Sequence, residues 1–167
     1  VKFDSISTRG IYSDLMRKFC NEGHHVYIVS PNERRYGMKT ETIEDGNAHI
    51  LRVRTLNIQK TNIIEKGIGT ITIESFYLKA IKKYFQGIKF DLIIYSTPPI
   101  TFSKVVKKLK KRDGAMTYLL LKDIFPQNAV DLGMFSKFSL FYKYFRKKEK
   151  QLYAISDYIG CMSPANV

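Results

Sequence analysis

Phe90-Asp91-Leu92-Ile93-Ile94-Tyr95-Ser96-Thr97-Pro98-Pro99 is the stretch on which the reading of this chain turns. Asp91 leads into four consecutive apolar residues, a run of strand length bounded by turn formers. Pro98 and Pro99 have no amide to give to a β-ladder, so the strand predicted over 90–95 stops at this corner. Downstream, a helix beginning at Pro99 or Thr101 buries Val105, Val106 and Leu109 at helical spacing, and Gly114 closes it. A second strand follows over 116–121. Phe125-Pro126 then opens a helical segment that runs to Leu132 and ends at Gly133. A long amphipathic helix over 138–155 leads to a short strand over 158–162. Residues 163–167 read as a loop.

The pattern repeats upstream. A helix is expected over 73–85, with Tyr77, Ala80, Ile81 and Tyr84 on one face. Before it, 55–70 is rich in Asn, Thr, Lys and Gly and reads as a long mobile loop. A strand is expected over 49–53. Val26-Tyr27-Ile28-Val29 is a buried strand, broken by Ser30-Pro31-Asn32. Ile11, Leu15, Met16 and Phe19 mark a helix over 11–22, stopped by Gly23. Ser7-Thr8-Arg9-Gly10 is a polar loop after a first short strand over 3–6. Six strands separated mostly by helices predict one α/β domain over 1–167. It is Rossmann-like and doubly wound, with a mainly parallel sheet. Ligands of such sheets bind outside the carboxyl ends of the strands. The loops that matter are therefore 5–10, 95–99 and 122–128.

Bulk properties limit the partners. No apolar run reaches the roughly 18 residues of a spanning helix. Val1-Lys2-Phe3-Asp4 lacks the regions of a signal peptide, and without an initiator Met the expectation is a trimmed N-terminus. Cys20 and Cys161 are far apart, which argues against a disulfide framework and for a reducing cytoplasm. His24, His25 and His49 form no metal motif, so no metal is expected. Lys and Arg total 28 against 15 acids, a net charge of +13, which speaks to partners rather than to fold. Nucleic acid, anionic lipid headgroups and phosphorylated substrates are the candidates; a basic solvated surface without a partner is the plain alternative.

Several residues could carry chemistry. Ser7, Thr8, Arg9 and Gly10 stand at a helix start, where free amides and the dipole suit a phosphate or sugar oxygen. A tight turn with polar caps would look the same. One glycine is not G-x-G-x-x-G, which excludes an ordinary dinucleotide site and leaves no cofactor expected. Asp123 follows the apolar run 118–121 and could act as a general base; it could also cap a helix or pair with Lys122. Ser96, Thr97 and Pro98, with Lys122, could wall a cleft, or the first three could simply end a strand. In the long helix, Phe138, Phe141, Tyr142, Phe145 and Leu152 fall on one side, and Lys143, Arg146, Lys147 and Lys150 on the other. Phe138 and Phe141 with those four cations suit an anionic membrane surface. A helix that packs its aromatics and solvates its cations is the alternative. Lys104, Lys107, Lys108, Lys110, Lys111 and Arg112 on the 99–114 helix would extend the basic rim.

In order and spacing these segments resemble the N-terminal half of a retaining glycosyltransferase of the GT-B type, in the branch that builds bacterial capsule or O-antigen polysaccharide. The resemblance rests on three passages: Gly10 with 13–19 and Gly23-His24-His25-Val26-Tyr27-Ile28-Val29; residues 91–99; and Lys122-Asp123-Ile124-Phe125-Pro126 followed by a long helix and Ile159-Gly160-Cys161-Met162-Ser163. It implies an acceptor-binding domain of a two-domain enzyme that moves a sugar from a nucleotide-sugar to an acceptor, commonly polyprenyl-diphosphate-linked. It also implies a peripheral place on the cytoplasmic face of the plasma membrane. The donor-binding C-terminal domain would lie outside these 167 residues, and the chain alone would be inactive. Gly10 matches the loop that approaches the donor diphosphate, with Arg9 standing where a second glycine is common. Asp123 matches a polar residue lining the catalytic cleft. Two other readings compete: a basic nucleic-acid-binding module, and a stand-alone ligand-binding α/β domain of flavodoxin type. The first lacks a recognition helix or aromatic RNA motif, and no nucleic acid is expected as partner. The second lacks the acidic phosphoacceptor pattern of receivers.

Overall fold

The computed structural model describes residues 3, 5–97, 99–134 and 136–161. The chain is α/β and forms two compact units, Val1–Gly87 and Ile88–Val167.

The first unit holds α1 (Ile11–Asn21), β1 (Val26–Glu33), a 3-10 turn (Arg34–Tyr36), β2 (Glu41–Asp45), β3 (Ala48–Thr55) and α2 (Ile63–Tyr84). Its sheet has the order β1-β3-β2, with β1 parallel and β2 antiparallel to β3. β3 is central and almost wholly buried, as its run of Ile50, Leu51 and Val53 requires. α2 lays Ile73, Tyr77, Ala80 and Ile81 into this core. α1 ends as expected at Gly23, whose φ of +85° suits glycine. The Gly23 amide donates to Cys20 and the His24 amide to Phe19, closing a Schellman motif in which the rings of Phe19 and His24 meet.

Several expectations for this unit fail. Phe3, Ser5 and Ile6 are not in a strand, and Asp4 lies outside the described residues. Pro31 does not break β1; it pairs with Val53, which is tolerable because β1 has one paired neighbour in the described sheet. β2 was not foreseen, although Asp45-Gly46-Asn47 is a hairpin signal. The loop expected over 55–70 is cut short at Asn62. Its side chain accepts the Glu65 amide at 2.8 Å and starts α2 there, despite Gly67 and Gly69. Tyr84 is exposed, and Phe85, leaving the helical path as C-cap, is buried edge-on to Tyr27.

The second unit follows its prediction more closely. It holds β4 (Leu92–Ser96), α3 (Ser103–Asp113), β5 (Met116–Leu121), α4 (Gln127–Asp131), α5 (Leu140–Ile155) and β6 (Tyr158–Cys161). All three strands are parallel, in the order β4-β5-β6. Val105, Val106 and Leu109 are buried, and Gly114 caps α3 at φ +71°. Tyr95, Ile100, Val106, Leu119 and Leu152 form one core. Asp157 ties β6 to β5 and α3: it accepts the Thr117 amide and hydroxyl and the Lys110 ammonium. Met162 and residues 163–167 lie outside the described residues. In place of one six-stranded sheet, the described strands pair as two sheets of three.

Candidate functional site

β5 is the central strand of its sheet, and its carboxyl end delivers Lys122 and Asp123 into the loop before α4. That loop is fixed from the neighbouring strand. Thr97, one residue past β4, is buried, and its Oγ accepts the amides of Lys122 at 3.2 Å and Asp123 at 3.4 Å. Its own amide donates to Leu120. Thr97 is thus a latch between two loops, not the cleft wall expected of it. Ser96 is the last residue of β4, and Pro98 lies outside the described residues.

With the loop pinned, Lys122 and Asp123 line a cavity of about 300 Å³ with Leu121, Ile124, Gln127, Asn128 and Asp131. Asp123 is exposed and is not the cap of α4, whose N-cap is Pro126 without a side-chain bond. The lining offers two carboxylates, two carboxamides and one ammonium over a small apolar floor. Gln127 donates to Asp131 at 2.6 Å, while Asn128 Oδ1 is buried with no hydrogen-bond partner among the described residues. Carboxylates and amides together can accept from and donate to hydroxyl groups, and two acids against one Lys repel an anion. Gln127 and Asn128 fall within the loop 122–128 that strand polarity singles out, whereas Asp131 was missed from sequence. Its signal was positional: it lies four residues after Gln127, as the last residue of the short helix α4.

The loop before α1 belongs to the first unit. The Ser5 hydroxyl and Ile6 amide donate to Asp45, anchoring it. The Ser7 amide donates to Ser5 Oγ, and the Thr8 hydroxyl donates to the Ser5 carbonyl at 2.8 Å and lies 3.2 Å from Ser13 Oγ. Arg9 is exposed. Gly10 is the N-cap of α1, with φ 162° and ψ 153° and no side-chain cap bond. That backbone is extended and open to any residue. A methyl group there would meet only Ser13 Oγ at 3.8 Å, an ordinary contact. The fold of this unit does not demand a glycine at position 10.

A second polar set lies at the carboxyl ends of β1 and β3. Among the described residues, Asn32 is fully buried with neither amide atom bonded, and Ser30 Oγ and Thr55 Oγ1 are likewise buried without partners. Single buried polar residues inside apolar strands were the only sequence sign of it.

α5 divides the surface residues expected on it. Arg146 is not a free cation: its guanidinium pairs with Glu149, which is fully buried and also accepts from the Tyr153 hydroxyl at 2.8 Å. Burial and the adjacent carboxylate push the Tyr153 phenol up from its ordinary range. Lys143, Lys147 and Lys150 are exposed and, with Lys137, Tyr142 and Arg146, line an open groove of about 640 Å³. Phe138 and Phe141 are both exposed, although periodicity sets them on the same side as Phe145 and Leu152. On α3, Lys110 and Arg112 are engaged by Asp157 and Asp113, which thins the basic rim expected there.

Among the described residues, no group of three or more His, Cys, Asp or Glu could hold a metal ion. No described helix is long and apolar enough to cross a membrane. Neither a scan of protein-family models nor a search of curated proteins returned a match to this chain.

Proposed function

We propose that the chain is the acceptor-binding half of a GT-B-type glycosyltransferase. It would act in bacterial surface polysaccharide synthesis, on a saccharide carried by a polyprenyl diphosphate at the inner face of the plasma membrane. The observation that carries this is the polar cavity at the carboxyl end of β5, whose two carboxylates and two carboxamides suit a neutral polyhydroxylated ligand better than an anion. Gly10 supports it from the first unit: a glycine that its own fold does not need is what a close-approaching ligand would need. On this reading the units are parts of one Rossmann-like half, and the donor domain lies outside these residues. Asp123 receives the proton of the acceptor hydroxyl as its oxygen attacks the anomeric carbon, and the nucleoside diphosphate departs. The donor is a substrate, and no resident cofactor is required.

The test is a titration of the chain with a farnesyl-diphosphate-linked monosaccharide, followed by amide NMR. Shifts over residues 121–131 are expected, absent with farnesyl diphosphate alone and lost in Asp123→Ala. Silence in that segment, or equal shifts on adding duplex DNA, would contradict the proposal.

A further inference from the structure

The seventeen residues 132–148 contain no carboxylate and five cations. Among their described residues are five strongly exposed apolar side chains. Leu132, Met134, Phe138, Leu140 and Phe141 are each more than two-thirds exposed. Monomeric soluble proteins rarely leave such a set open to water unless something covers it. The chemistry alongside says what. Lys137, Lys143, Arg146, Lys147 and Lys150 line the neighbouring groove with no acid among the lining residues. A protein partner would be expected to meet an interface depleted in Lys at its core. Nucleic acid gives no reason for five exposed apolar side chains. A bilayer accounts for both: apolar side chains enter the acyl boundary while lysines reach headgroup phosphates.

We infer that Leu132, Met134, Phe138, Leu140 and Phe141 form a wedge that inserts into an anionic phospholipid bilayer, with Lys137, Lys143, Lys147 and Lys150 at headgroup level. The inserting element is thus the turn before α5 and the first turn of that helix. The α5 face that carries Leu152 stays in the core. The wedge begins one residue after Asp131, which lines the cavity, and the Tyr142 hydroxyl reaches Gln127 of the same lining at 3.5 Å. Insertion would hold the cavity beside the headgroups. This rests on the proposed function only for its purpose, not for its physics.

The chain contains no Trp, so Phe138→Trp is a clean reporter. With vesicles of phosphatidylcholine and phosphatidylglycerol, its emission should shift to shorter wavelength and be quenched by brominated acyl chains. Pure phosphatidylcholine should give much weaker binding. Lys143→Gln and Lys147→Gln should each lower the partition coefficient about fivefold. Phe138→Glu with Phe141→Glu should abolish co-sedimentation while leaving the circular dichroism unchanged, because both side chains are in water. No shift at low salt overturns the inference. So does binding without quenching, which is adsorption by charge alone, and so does a dimer that the double Glu variant dissolves. Because no sugar is used, failure here is separable from failure of the glycosyltransferase reading, which the saccharide titration decides.

Discussion

The two ends of α5 are both rich in aromatic and aliphatic residues, yet they live in different solvents. Leu152 is fully buried against Tyr95, Ile100, Val106 and Leu119. Phe138, just before the helix, is 88% exposed, and Phe141 in its first turn is 71% exposed. α5 is therefore anchored from Phe145 onward, where Phe145, Leu152, Tyr153 and Ile155 pack into the core, and its first turn is not. Charges on this helix divide by face rather than by end. Arg146 is committed to a buried carboxylate, whereas Lys147, one residue on, is in water.

The contrast breaks most visibly by truncation. Leu152→Ala should cost about 3–5 kcal/mol in denaturant unfolding, since a packed site cannot collapse fully. Phe138→Ala and Phe141→Ala should stay within about 0.5 kcal/mol. Equal losses at both ends would mean that the exposed end is packed after all. Next, Arg146→Ala should cost on the order of 2 kcal/mol, because it strands the Glu149 carboxylate, while its own partial exposure limits the loss. Lys147→Ala should be near neutral by the same measurement.

Two glycines of α2 sharpen the contrast between committed and free positions. A methyl group at Gly69 would come within 3.0 Å of the Asn57 carbonyl, so Gly69→Ala should destabilise by about 1–2 kcal/mol. Gly67 faces open space, and Gly67→Ala should stabilise by about 0.5–1 kcal/mol.

The smallest effect is on pH. Asp157 is held down to about 2, first by the Lys110 ammonium and then by Thr117. A depressed carboxylate adds stability that is complete above its unfolded value, about 3.9, and is lost as pH falls through about 2. Thermal melts should therefore drop between pH 4 and 2, less steeply in Asp157→Asn.

These sites divide by how local their causes are. Gly23, Gly114 and Gly133 were readable because a helix end is a short-range event: each takes a positive φ just past its helix. β5 was readable to the residue because its apolar run is bounded by turn formers. β2 was not, because Ile43 is its one aliphatic residue and its pairing with β3 is what makes it a strand. The start of α2 was hidden by Gly67 and Gly69, though Asn62 and Glu65 stood in capping positions. The site was half legible. Asp123, Lys122, Gln127 and Asn128 followed from strand polarity, but the Thr97 latch depends on which strands are neighbours, and Asp131 lies beyond the loop. Periodicity put Phe141 with Leu152, because a helix face carries no record of where its sheet ends.

The most direct test of the proposed glycosyltransferase function is sugar transfer by a protein in which this chain is joined to the proposed donor domain. Labelled nucleotide-sugars would be supplied with a polyprenyl-diphosphate-linked saccharide. On the proposed function, label passes into the lipid-extractable fraction, and Asp123→Ala lowers the rate about a hundredfold without changing the melting temperature. No transfer from any nucleotide-sugar, or a rate indifferent to Asp123, would contradict it.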